Sequence, residues 1–341
     1  MIIKPAPVTI KIKSPTRVDL AGGTLDMWPL FNFTGGATTI NVAVNIWTEV
    51  ELTPHLDSAI FIESKDMKQQ WHFADMSAFL SALDPKILFY QKIIAHFRLP
   101  KGFSLITSSQ SPIGGGLGGS SSLVISIMKA FQVWLNNKDI SVAAMVHMAH
   151  NIEAEILKTP TGTQDYYPAI TGGLSLIEYS AGGVNHTIQS LTGTPFEDHF
   201  LLVYTGRSHH SGLNNFEVLK SCVEGDLKVL SSLKKIKLIA EQLKNVILQK
   251  DWQQLPALFR QEYDARLELT PAFSSPEIEK LAKITIAAGA LAVKICGAGG
   301  GGCVLVWVAP EHREKVVQVC QNEKFQCLSA LPVNPLTYSI L

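Results

Sequence analysis

The chain has 341 residues, 46% of them hydrophobic and 17% charged, which allows a large apolar interior and argues against disorder. Lys plus Arg and Asp plus Glu balance at 29 each, so no net field draws the protein to nucleic acid or to an anionic membrane surface. The length favours two domains. Five cysteines without a CxxC pair suit a reducing compartment, and the opening MIIKPAPVTIKIKSP lacks an apolar signal core, so a cytoplasmic protein is expected.

In chain order, VTIKIK (Val8 to Lys13) alternates as a half-buried strand. It runs into SPTRVDLAGGTLDMWPL, where Arg17, Asp19 and Asp26 surround the Gly22-Gly23 pair, polar groups placed to line a pocket or to face water at a turn. Thr38 to Leu52 and Ala59 to Glu63 are β-branched strands of a largely antiparallel sheet. Ile87 to Leu99 has helical spacing, and Phe103 to Ile106 reads as a buried strand. It leads into SPIGGGLGGSSSL (Ser111 to Leu123), after which Val124, Ile127, Met128, Phe131 and Trp134 mark one face of a helix.

A second helix runs from Val142 to about Leu157 and stops at TPTGTQDYYP. Strands Gly173 to Tyr179 and Val184 to Ile188 form a hairpin around Gly182-Gly183, and the Thr, Gly and Pro content from Leu191 marks a domain boundary, giving units 1–190 and 191–341. The second unit opens with a strand (Phe200 to Tyr204) and continues with helices at Leu213 to Val223, Leu227 to Leu248, Trp252 to Leu267 and Pro276 to Ala288. Short strands at Ala292 to Ile295 and Cys303 to Val308 flank a second glycine cluster, GAGGGG (Gly297 to Gly302). A helix (Glu311 to Cys320) and a closing strand (Leu336 to Leu341) complete an α+β chain. The most apolar stretch, Ile284 to Val308, is interrupted by Lys294 and glycines, which argues against a membrane span.

The Ser111 to Leu123 loop has few side chains to repel a ligand and many backbone N–H groups to offer a polyphosphate. Gly114, Gly116 and Gly119 satisfy G-x-G-x-x-G, as do Gly297, Gly299 and Gly302, so a dinucleotide enzyme is one alternative, although no regular βαβ succession surrounds either match. No G-x-x-x-x-G-K-[ST] occurs. Without a P-loop lysine, phosphate here would rely on amides, a helix N-terminus and Mg²⁺ ligated by a first-turn hydroxyl such as Ser120. Glu153 on the second helix and Asp165 after it supply carboxylates for a metal and for a base. His147, His150 and Glu153 at i, i+3 and i+6 drift too far around a helix for a compact metal site. His209 and His210 follow a strand as a candidate pocket loop or a surface turn.

Three motifs that together span nearly the whole chain, SPTRVDLAGGTLD, PIGGGLGGSS and KICGAGGGGC, resemble those of the GHMP kinases in order, and with GTQDYY and YTGRSHH the chain is most similar to the sugar-kinase branch, especially heptose 7-phosphate kinases. The resemblance implies an N-terminal domain like ribosomal protein S5 domain 2 and a ferredoxin-like C-terminal domain. It implies ATP held by Pro112, Gly114, Gly115, Gly116, Leu117, Gly118, Gly119, Ser120 and Ser121, and Mg²⁺ on Ser120 and Glu153. Asp165 corresponds to the catalytic base and Arg17 to its partner near the acceptor hydroxyl. Asp19, Gly22, Gly23, Asp26, Gly206, His209, Gly299 and Gly300 complete the implied acceptor site with them. The expected activity is ATP-dependent phosphorylation of a sugar or sugar phosphate hydroxyl by a monomer or homodimer. Galactose, fucose or mevalonate-type acceptors, or a non-catalytic ATP and sugar sensor, are the alternatives.

Overall fold

The computed structural model describes residues 8–137, 140–208, 211–297 and 299–336, with only the backbone of 211–214. Its first part runs β1 (Ile10–Ala21), α1 (Leu30–Phe33), β2 (Ala37–Pro54), β3 (Ile60–Ser64), β4 (Gln69–Phe73), α2 (Met76–Leu80), α3 (Leu88–Ile94) and β5 (Phe103–Ser109). It continues with α4 (Gly119–Trp134), α5 (Val142–Leu157), α6 (Tyr166–Thr171), β6 (Leu174–Ser180) and β7 (Gly183–Gln189). The second part holds α7 (Phe196–His199), β8 (Phe200–Tyr204), α8 (Ser211–Val223), α9 (Leu227–Gln249), α10 (Leu255–Leu269) and α11 (Pro276–Ala288). It ends with β9 (Ala290–Ile295), β10 (Cys303–Val308), α12 (Pro310–Asn322) and β11 (Gln326–Leu328).

Among the described residues the first sheet has seven strands in the order β4-β3-β5-β2-β6-β7, with β1 also paired to β2. The long β2 is its spine: it pairs with β6 at its start, with β5 at its end and with β1 over most of its length. All pairings are antiparallel except β3 with β5, which are joined through β4, α2 and α3. The second sheet, β11-β8-β10-β9, is antiparallel throughout, a ferredoxin-like 4-1-3-2 order. α4 lies against β1 and β2, and its buried Phe131 meets the ring of Phe103 edge-on at 5.4 Å.

β1 extends to Ala21, eight residues beyond the alternating segment that predicts it. Alternation ends at Ser14 because the strand then passes under helices on both sides: α4 and α6 from the first part, α9 and α10 from the second. Pro15 is tolerated because the register with β2 shifts between Pro15 and Thr16, a bulge that asks no ladder bond of the proline. Arg17 and Asp19, two residues apart, therefore sit within a buried strand rather than in a turn after it. At the other end of the chain β11 takes the edge next to β8. The expected closing strand is not seen at Leu336, and 337–341 lie outside the described residues. All five cysteines are free, and among the described residues no helix is long and apolar enough to cross a membrane.

Four charged side chains join β1 to the second sheet. Arg266 of α10 pairs with Asp19 of β1 and, at 2.6 Å, with Glu262 one turn back; Lys294 of β9 lies 3.4 Å from Glu262 and donates to the carbonyls of Asp19 (2.7 Å) and Ile295 (3.0 Å). All four are buried. The charges cancel two against two, which is how a buried network tolerates its desolvation, and removing one member leaves its partner uncompensated. Lys294→Met is expected to lower unfolding stability by about 3–5 kcal/mol, measured by urea unfolding; an unchanged midpoint and slope would show that the network contributes nothing.

Candidate active site

The glycine loop ends at Gly118, which caps α4 in the left-handed conformation (φ 69°) without a side-chain hydrogen bond. The first amides of a 16-residue helix thus stay unpaired at a cavity, with the positive end of its dipole behind them. The three serines that follow diverge. Ser120 is exposed on the cavity wall, Ser121 donates to Glu153 at 2.8 Å, and Ser122 ties α4 to β1 through the carbonyls of Ser14 (3.2 Å) and Pro15 (3.0 Å). Only the third is purely a packing residue.

One guanidinium draws the distant segments together. Arg17 reaches Asp165 through Nε (2.7 Å) and NH2 (2.6 Å), while NH1 donates to the carbonyls of Gly116 (2.6 Å) in the first glycine loop and Cys296 (2.8 Å) before the second. The loops also bond directly, Cys303 N to Gly115 O at 2.8 Å. Burial acts to lower the Arg17 pKa, but the neighbouring Asp165 and Asp19 carboxylates outweigh it and the pKa is raised, so the group stays charged. A side chain at position 118 would meet the Asp165 carboxylate at 3.0 Å, so Gly118 permits their approach.

Asp165 closes the loop after α5. His150 of α5 bonds the carbonyl of Thr161 at 3.0 Å, and Gly162 passes so close to Asp26 that any β-carbon there would overlap the carboxylate. Asp26 accepts from the Gln164 backbone at 3.0 Å and from its side chain at 3.3 Å. Burial, with help from Asp165 and Asp19 and against the Gln164 bond, pushes the Asp26 pKa up to about 6. Glu153 is also buried, and its Oε2 accepts from Ser121 and from the Tyr166 hydroxyl. Desolvation raises its pKa, opposed by Tyr166, Ser121 and Ser120 and reinforced by Asp165. The neighbours that act on it are hydroxyls and a second carboxylate, and both of those hydrogen bonds fall on one oxygen. Such a carboxylate suits a cation, so Ser120 and Glu153 fit Mg²⁺.

A cavity of about 490 Å³ takes in Arg17, Asp26, Glu153, Asp165 and the expected nucleotide set from Pro112 through Ser121. Asp19 also borders it, but its carboxylate is spent on Arg266, with one oxygen, Oδ1, left without a hydrogen bond. Gly22 and Gly23 are not lining residues; a side chain at 23 would strike the Arg266–Asp19 pair, so they serve close packing. Gly206, Gly299 and Gly300 lie off the wall. Arg207 next to Gly206 accepts from Gly302 N at 2.7 Å, and Gly300 N bonds Phe273 O at 3.2 Å. His209 and His210 lie outside the described residues. The wall also contains Thr24, where SPTRVDLAGGTLD departs from the Gly-Thr usual in the heptose kinases it resembles, together with Asn215 and Arg266, and Tyr166 stands behind Glu153; the last three are not singled out from the sequence. Glu262 and Arg266 four apart on α10 were the legible signal, but the same spacing marks exposed helix pairs.

Residues 87–173 match the family description GHMP kinases N terminal domain, and residues 239–326 match GHMP kinases C terminal. The D-glycero-alpha-D-manno-heptose 7-phosphate kinase of Campylobacter jejuni is 29% identical over 93% of this chain and 94% of its own. A D-glycero-D-manno-heptose 1-phosphate kinase structure from Bacteroides thetaiotaomicron aligns with a TM-score of 0.74 at 23% identity, covering 97% of this chain and all of that one. The mevalonate kinase of Methanococcus jannaschii aligns as well, with a TM-score of 0.75 at 18% identity over 96% of this chain and 99% of that one. The fold is thus shared by relatives whose named acceptors differ.

Asp26 gives a pH signature. Its folded pKa of about 6 exceeds its ordinary 3.8, so ionisation opposes folding. The penalty is absent below about pH 4, where the carboxyl is protonated folded or unfolded, grows as pH rises through 4 to 6, and is complete above it. Asp26→Asn should therefore be more stable than wild type by about 2–3 kcal/mol at pH 8, with the difference vanishing near pH 4. Urea unfolding at both pH values checks this; a pH-independent difference would remove the burial argument.

Proposed function

This chain belongs to the GHMP kinase family, and from that premise we propose that it transfers the γ-phosphoryl group of ATP to a hydroxyl of a sugar or sugar phosphate, a heptose 7-phosphate first among them. That it is a kinase with a hydroxyl acceptor follows from the family. The heptose acceptor is supported by the C. jejuni heptose kinase, which matches over nearly the full length of both chains. The observation that carries the mechanism is Arg17 bonded at once to Asp165 and to both glycine loops.

In this reading residues 1–190 form the nucleotide-binding domain and residues 191–341 the C-terminal domain. The Gly114 to Gly119 amides and the N-terminus of α4 cradle the phosphates, with Pro112, Leu117 and Ser121 shaping the loop. Ser120 and Glu153 would hold Mg²⁺, which would neutralise phosphate charge when bound. Asp165 accepts the proton of the acceptor hydroxyl as that oxygen bonds to the γ-phosphorus and the bridge to the β-phosphate breaks, leaving ADP. Arg17 fixes the carboxylate's direction and places positive charge beside the developing alkoxide. Asp26, held by Gln164, faces the acceptor, with Asp19, Gly22 and Gly23 packed behind it, while Gly206, Gly299 and Gly300, off the cavity wall, act only by shaping the loops around it. Catalysis is then mainly positioning and charge compensation.

An ADP-release assay with ATP and Mg²⁺ over heptose 7-phosphate, free heptose, galactose, fucose and mevalonate tests the reading. Release is expected with a sugar or sugar phosphate and not with mevalonate. Binding of ATP and sugar without ADP release would instead mark a sensor. Asp165→Asn should keep ATP binding and lower kcat by about 10²–10⁴, the range for general acid-base groups; near-normal turnover would take Asp165 out of the mechanism.

A further inference from the structure

Thr24 holds a backbone conformation that its side chain disfavours. Its φ is 77°, in the left-handed region, where a β-branched residue clashes with its own backbone. The other described non-glycine residues with positive φ are Lys68, Asn136, Lys158, Lys250 and Lys324, all exposed; Lys158 and Lys250 simply end α5 and α9. Thr24 alone among them is buried, 4% exposed, and it lines the cavity beside Asp26. Glycine would meet the backbone requirement without strain, so the side chain itself is what the site retains.

That side chain reaches across the cleft. Thr24 Oγ1 donates to Oδ1 of Asn215 on α8, 191 positions further along, and Asn215 borders the same cavity. At 3.5 Å the bond is at the limit of hydrogen-bonding reach, so either group exchanges it readily for a shorter bond to a bound molecule. A hydroxyl and a carboxamide each both donate and accept, the combination that recognises another hydroxyl.

We infer that Thr24 and Asn215 are a specificity-determining pair that hydrogen-bonds an acceptor hydroxyl other than the one that receives phosphate. The inference rests on the kinase reading for the identity of the acceptor, a polyhydroxylated compound, and it favours such acceptors over analogues lacking that hydroxyl.

The test compares Thr24→Val, Thr24→Ser, Thr24→Gly and Asn215→Ala with wild type. The probes are D-glycero-D-manno-heptose 7-phosphate, galactose, L-fucose, D-glucuronate and mevalonate, each titrated by calorimetry without nucleotide and then assayed for ADP release with ATP. For the sugar that wild type binds best, Thr24→Val and Asn215→Ala should weaken binding and kcat/KM by about 10–100-fold, with KM for ATP within about twofold. Thr24→Ser should stay within about threefold of wild type. Thr24→Gly should lose the sugar as Thr24→Val does while melting higher than wild type, a split that a purely structural role would not produce. Binding without nucleotide keeps the two readings apart: a wild type that binds a sugar but releases no ADP defeats the kinase reading, and Thr24 is still judged by the titrations. Wild-type binding by Thr24→Val, full activity of Thr24→Gly, or a wild type that binds none of the five overturns the assignment.

Discussion

The guanidinium of Arg17 ties separate segments of the chain to one point. Arginine offers five donors in a rigid planar fork, and here they are divided between Asp165 and the carbonyls of Gly116 and Cys296. Those three partners come from the loop after α5, the loop before α4 and the turn after β9, far apart in the chain. Their convergence requires β1 to run buried between the helices of both parts, which explains why this strand carries charged residues where a sheet interior normally carries aliphatic ones. The Arg266, Glu262, Lys294 and Asp19 network anchors the same strand two residues further along. Two arginines, each matched to carboxylates, thus hold the start of the second glycine loop: Arg17 at Cys296 and Arg266 at Gly297 (3.1 Å).

The site's electrostatics follow from burial. Asp26 and Glu153 are carboxylates whose environments disfavour charge, while Asp165 lies against Arg17. Three acidic groups in one cavity therefore have distinct surroundings: a backbone-bonded wall, a pair of hydroxyls, and a cation. Separation of roles among like groups by environment is how such sites assign acid, base and ligand.

Much of this was legible in the sequence, for identifiable reasons. The glycine loops, the helix after Ser120 and the hairpin at Gly182-Gly183 announce themselves through local chemistry, and motif order carried the family. What stayed hidden depends on long-range burial. The extension of β1 to Ala21 is masked in the sequence because strands covered on both faces lose alternation, and because a proline within a run is a weak place for a strand to continue. Nothing in the sequence marks Arg266 and Lys294 as buried, since no local signal tells a buried ion pair from an exposed one. Thr24 and Asn215 become neighbours only when α8 lies over the first sheet's loops.

If one arginine assembles the phosphoryl-transfer site, Arg17→Lys should disable it. Lysine keeps the charge but cannot hold a carboxylate and two carbonyls in one plane. Steady-state kinetics with ATP and the preferred acceptor should show kcat reduced by about 100-fold or more, in a protein whose melting profile shows it folded. Turnover within a few-fold of wild type would contradict the account, because it would mean that charge alone, without the fork, is enough to set Asp165 against the glycine loops.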